Sequence, residues 1–171
     1  MLDLLLKDAY ELGSVPVARD PFASSDALEE AYLVGTLYNS VSRTAGMLFD
    51  LRTSDRNDPA QANTGLLILF NVSALEAEDT EPDVDRVWLV GECLTSIESS
   101  SIRIDVRHLL VDKHVSVQAS RSVYLIGVVS NIEPVPRDMG EGLAAFVHTS
   151  PNWESEIELT GMATASRTDL S

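Results

Sequence analysis

The segment IDVRHLLVDKH gathers residue types that hold metals: Asp105, His108, Asp112 and His114. A strand turns successive side chains to opposite faces, so two ligands on one strand face the same ion at spacing i, i+2. Asp112 and His114 meet that condition but form a two-ligand fragment that needs a third ligand from elsewhere. These residues therefore read as polar residues at strand ends, and no metal is assigned. Nucleophilic catalysis needs a Ser or Cys with a base and an orienting group in reach. Cys93, the single cysteine, lies in the strand-like VGECLTS and reads as a small core residue; no GxSxG motif is present. The nine glycines are scattered and form no phosphate-binding loop. A pair of carboxylates for glycoside hydrolysis is defined by separation in space, and nothing singles one out among 27 acids. No catalytic residue and no cofactor is assigned, and the chain is expected not to be an enzyme.

Binding features are better developed. The stretch EAEDTEPDVD concentrates Glu76, Glu78, Asp79, Glu81, Asp83 and Asp85. Asp79, Glu81, Asp83 and Asp85 alternate as calcium ligands do, yet the sharp Gly of a DxDxDG turn is missing and Pro82 interrupts the run. A solvated acidic loop, or a docking surface for a basic partner, fits it better. Trp153, in SPNWES after a Pro-Asn turn, suits either a contact hot spot or a cover over the end of a β-sandwich. Trp88 sits in a strand pattern and is expected in the core. The candidate partner-binding set is thus Glu76, Glu78, Asp79, Glu81, Asp83, Asp85 and Trp153.

Charge narrows the class of partner. Twenty-seven acids against twelve bases give −15 at pH 7 and a pI near 4.3. Such a field repels phosphate backbones and anionic lipid surfaces and speeds encounter with basic proteins. Nucleic acid and membrane are therefore not expected as partners, whereas a basic protein is. Solubility, or tolerance of high salt, is the plainer explanation of the same charge. A lone cysteine allows no intrachain disulfide, and the N-terminal MLDLLLKDAYEL lacks the basic start of a signal peptide. No apolar run approaches the roughly 18 residues needed to span a bilayer. These features point to a cytoplasmic protein.

The elements that must position these residues are mostly strands. Leu2, Leu5, Leu6, Ala9 and Leu12 are spaced for a short amphipathic helix stopped by Gly13, with a strand as the alternative. SVPVARDPFASSDA reads as a surface linker, and a second short helix can start at Ser25 or Asp26 with Glu29 as capping partner. From residue 31 the period becomes two. Tyr32, Val34 and Tyr38 share one side; Met47, Phe49 and Leu51 share a side in the next run. Leu66 to Phe70 is apolar on both faces, as in a central strand covered twice. VWLVGECLTSI, SIRIDVRHLL, HVSVQAS and SVYLIGVVSNI follow, the second alternating Ile102, Ile104 and Val106 against Arg103, Asp105 and Arg107. Pro134 and Pro136 close the fourth, a helical turn fits within 137–149, and WESEIELTG supplies a last strand. At 171 residues one domain is expected, burying about 70% of its unfolded surface. The reading is mostly β: a single-domain antiparallel β-sandwich or open barrel of about eight strands with a short N-terminal helix. Its expected parts are 1–30 helix and linker, 31–162 core and 163–171 flexible tail.

MLFDLRT, NTGLLILFNVSALE and SPNWES together resemble motifs of a group of small, uncharacterised, acidic actinobacterial proteins, some of them similar to immunity proteins of toxin systems. There a strand ending Asp-Leu-Arg precedes a polar loop and an apolar strand, and a Pro-x-Trp segment lies near the C-terminus. Here these are Asp50-Leu51-Arg52, Asn63 to Glu76, and Pro151 to Trp153; the 14–43 region and the Ile102–Val129 strands lie outside the resemblance. It carries no catalytic residues. It implies a non-enzymatic protein that binds another through an acidic surface, with inhibition of a basic enzyme as its sharpest form. A small-ligand or carbohydrate-binding sandwich using aromatic platforms is the alternative, and self-association stays open. Asp50 and Arg52 share a face opposite Phe49 and Leu51 and are expected to form an exposed structural pair in a central hairpin.

Overall fold

A computed structural model describes residues 1–7, 10, 17, 19–54, 61–77, 88–98, 101–130, 132 and 149–166. Among the described residues a short helix, α1 (Leu2–Leu5), precedes nine strands: β1 (Tyr32–Asn39), β2 (Thr44–Asp50), β3 (Thr64–Phe70), β4 (Ala74–Ala77), β5 (Trp88–Glu98), β6 (Ser101–His108), β7 (His114–Ala119), β8 (Arg121–Val129) and β9 (Ile157–Ser166). They form one antiparallel sheet in the order β4-β7-β6-β5-β1-β2-β3-β8-β9. The protein is mostly β, as the period-two runs require.

The sheet packs against itself as two layers. β1 and β5 meet over two residue pairs only, Tyr32–Leu89 and Leu33–Trp88. Cys93, Ile102, Ile104, Val106, Val115 and Val117 from β5, β6 and β7 share a buried core with Met47, Phe49, Leu67, Leu69 and Tyr124 from β2, β3 and β8. The same two stretches of chain cross both layers: β3 continues into β4, and β7 into β8. Their ladder passes the bend through Ser120 N–H to the Phe70 carbonyl (3.0 Å) and Ser73 N–H to the Gln118 carbonyl (2.8 Å). Each aliphatic side chain buried here contributes on the order of 1.5–3 kcal/mol.

β2 and β3 are buried along their whole length. Leu67 and Leu69 face the inner core, while Leu66, Ile68 and Phe70 join Leu48, Val123, Leu125 and Leu5 in a second cluster on the outer face. That outer face is covered by α1 and by the segment holding Trp153, tied together by the Leu2 N–H bond to the Trp153 carbonyl at 3.1 Å. The stretch 44–70 that frames the polar 51–62 connection is therefore the paired β2–β3 hairpin.

Several expectations are corrected in detail. The helix ends at Leu5, and Leu2 and Leu6, placed on its buried stripe by spacing, are 42% and 68% exposed. This four-residue helix packs on the outer-face cluster through Leu4 and Leu5, too short a length for heptad-like spacing to apply. Residues 25–30 form turns, not a second helix. They belong to the core: Ala27, Leu28 and Ala31 are buried, and Glu30, Cys93 and Thr95 bond along β5 through Val90, Ser25 and Pro21. A bulge between Leu33 and Gly35 reverses the phase of β1, so Tyr32 and Tyr38 fall on opposite faces. Glu76, read as the start of a loop, lies in β4, a strand that brings the number to nine. β9 runs to Ser166, with Ala165 buried, four residues past the expected end of the core. Ala9, Leu12, Gly13, Pro134, Pro136 and most of 137–149 lie outside the described residues.

Candidate functional site

The largest departure from expectation is the Asp50–Arg52 pair. Parity in β2 places Asp50 on the outer face beyond Gly46 and Leu48, where Tyr32 and Thr64 are its cross-strand neighbours. The side chains of Asp50 and Arg52 are 0% and 5% exposed. Asp50 Oδ1 accepts from the Arg52 backbone N–H (3.1 Å) and Nε (2.9 Å), and Oδ2 accepts from Nη2 at 2.6 Å. Ser150 Oγ lies 3.5 Å from Nη2, and Ser150 itself is buried. The phenol of Tyr32 is raised above its ordinary range by burial first and by the Asp50 charge second. An expected exposed pair is thus a desolvated clamp, because the 149–153 segment covers the outer face of β2. Its carboxylate is occupied by Arg52, which makes it a structural element.

The other groups with chemical potential are also engaged. Cys93 is fully buried, and burial, then the Asp105 charge, push its thiol up to about 12. Tyr124, beside it in the core, is raised by burial, then by Cys93 and Asp20. His108 Nδ1 accepts the Leu110 backbone N–H at 3.0 Å, and its ring lies 5.8 Å from that of Trp88. Burial, and then Lys113, lower its pKa. Trp88 is half-buried against the inner core, its Nε1 buried and unpartnered. Asp105 pairs with Arg103 at 3.2 Å. Among the described residues no three His, Cys, Asp or Glu side chains gather where they could share an ion.

The candidate partner-binding residues are not brought to one place. Glu76 is exposed on the edge strand β4. Trp153 is half-buried on the outer face of the other layer, its indole stacked over Gly35 and Gly46, so it acts as a cover. Glu78, Asp79, Glu81, Asp83 and Asp85 lie outside the described residues. Two surface features were not singled out from sequence. Glu154, Glu156 and Glu158 are exposed in alternation leading into β9, the other edge strand. The β6–β7 turn presents Leu109, Leu110 and Val111, at 42%, 77% and 47% exposure. Alternation in WESEIELTG carried the first signal; the run Leu-Leu-Val was read as a strand end.

No protein-family model and no curated protein matches the chain. A solved structure, of an uncharacterized protein from Neisseria gonorrhoeae, is similar over 56% of this chain and 90% of its own, at 12% identity and a TM-score of 0.42. No helix among the described residues is long and apolar enough to cross a membrane.

Proposed function

We propose that this chain is a non-enzymatic interaction domain that receives a basic partner protein on its acidic surface, in the manner of an immunity or antitoxin-like inhibitor. The observation that supports it best is the exposed row Glu154, Glu156 and Glu158 running into an edge strand of a chain with net charge −15. Carboxylates alternating along a segment that enters a strand can meet cationic side chains laid out to bind phosphates, and the field of the whole chain steers such a partner inward. Leu109, Leu110 and Val111 add an apolar run of the kind that anchors contacts. The internal engagement of Cys93 and of the Asp50–Arg52 clamp favours binding over catalysis. The cytoplasmic assignment belongs to this reading.

The test is an affinity pulldown from the source cell's lysate at about 0.1 M ionic strength, repeated at about 1 M, where the Debye length falls from about 10 to about 3 Å. The expected result is a stoichiometric basic partner lost at high salt, and weakened by E154K/E156K/E158K while the variant stays folded. Absence of a basic partner at both salts overturns the proposal.

A further inference from the structure

β9 ends the sheet as the described residues form it, with β8 on one side only. In an antiparallel ladder alternate residues of a strand turn their N–H and C=O groups toward opposite neighbours, so an edge strand leaves half of them unpaired. From Ile157 to Ala165 no backbone hydrogen bond reaches β9 from any described residue outside β8. Natural edges are commonly blunted by Lys, by Pro or by a bulge. Ile157–Ser166 holds no Lys and no Pro. Its bulge lies opposite the Ile126–Gly127 step, and beyond it Gly161 to Ala165 is neutral and in regular register.

The two sides of this edge differ in chemistry. Leu159 and Met162 are half-buried at the margin of the outer-face cluster, so an apolar residue on an added strand would extend that cluster past them. Glu158 has the opposite parity to Leu159 and is exposed, and Glu154 and Glu156 precede it in alternation. The start of the row is fixed by a turn: Asn152 Oδ1 accepts the Glu154 N–H at 2.9 Å, and the Asn152 carbonyl accepts the Ser155 N–H at 3.0 Å. Among the described residues no cation pairs with any of the three glutamates.

Charge selects the occupant of the edge. A second copy would bring another chain of net charge −15 to the same strand, and like charges that meet across a ladder weaken it. A cationic strand gains where a second copy loses. We infer that β9 takes an extended segment of a basic partner protein as an added antiparallel strand. Lys or Arg at alternate positions of that segment meets Glu156 and Glu158, and the β-branched residues between them extend the face of Leu159 and Met162. Main-chain bonds to the open ladder hold the segment, and its alternate side chains select it. This inference rests on the acidic-surface reading and adds to it the mode of docking and the sequence pattern of the partner.

The probe is the peptide acetyl-KVKVKVK-amide, titrated into the full chain at about 0.1 M ionic strength and followed by backbone-amide NMR. Saturable shifts over Ile157 to Ala165 are expected, with a dissociation constant on the order of 0.1 mM, while acetyl-EVEVEVE-amide does not bind. Two further peptides, N-methylated at every Val or at every Lys, each remove one alternate set of donors. Only one set faces β9, so one of the two loses about tenfold or more in affinity and the other keeps it. E156K/E158K, at exposed positions, weakens the unmodified peptide by about tenfold. Absence of saturable binding, shifts centred away from β9, or equal affinity of the two methylated peptides overturns strand addition. Each of these outcomes leaves the acidic-surface reading standing if the lysate yields a salt-sensitive basic partner, so the two fail separately.

Discussion

Removing one member of the Asp50–Arg52 pair should destabilise the protein far more than a surface ion pair ever does. At 2.6 Å, and with an effective dielectric constant of about 20, the gross Coulomb attraction is about 6 kcal/mol. Desolvating two ions costs several kcal/mol each, so the net worth of the intact pair is small. The cost of R52M is different in kind, since it strands a fully buried carboxylate against a single backbone N–H. About 3–5 kcal/mol is expected, against about 0–1 for an exposed pair. At this chain length that lowers Tm by roughly 6–20 °C. The double variant D50L/R52M, which removes both charges and leaves apolar volume, should recover most of the loss. Urea unfolding of the two single variants, the double variant and the parent closes a double-mutant cycle, with equal m-values as the check on two-state behaviour. A loss below about 1 kcal/mol for R52M, or a double variant as unstable as the sum of the singles, would refute the argument that the pair is dry and coupled.

Two further outcomes follow from packing and titration. A Cβ on Gly127, at the β8–β9 bulge, would overlap the Glu158 carbonyl oxygen, so backbone must move to admit it. G127A should cost at least about 2 kcal/mol in thermal or urea unfolding, and a neutral result contradicts the bulge as described. The Cys93 thiol ionises near 9.0 when unfolded and only near about 12 when folded, so the unfolded chain releases its proton first as pH rises. Its contribution to stability is complete below pH 9 and is lost between about pH 9 and 12. C93A should flatten that alkaline loss of stability, and the native thiol should react with a disulfide reagent only as fast as the protein opens.

How much was legible in the chain depended on whether a feature is local. β6 could be read outright, since Ile102, Ile104 and Val106 alternate with charges and are the residues that face the core. The double-faced apolar run of β3 announced a strand covered on both sides, and β3 is covered by the inner core and by α1 and Trp153. β4 could not be read, because Ala74–Ala77 has no β-branched residue and is a strand only by pairing with β7. The phase of β1 was misread for a similar reason: one bulged residue at Leu33–Gly35 moves every later side chain to the other face. The candidate site fared less well. Charge and composition set the electrostatic character, but the acidic row leading into β9 and the apolar β6–β7 tip emerge only once the edges and turns have been placed.

The amino-acid sequence by itself determined the fold class, through period-two hydrophobicity, and the electrostatic character, through 27 acids against 12 bases. Both are sums over the chain or patterns between near neighbours, and neither needs a partner strand. Which polar groups are buried was decided by tertiary structure alone. Asp50 and Arg52 read as a surface pair until the 149–153 segment, almost a hundred residues away, lies across them with Ser150 beside Arg52. Burial of a charge depends on what covers it, and the covering segment is distant in sequence while adjacent in space.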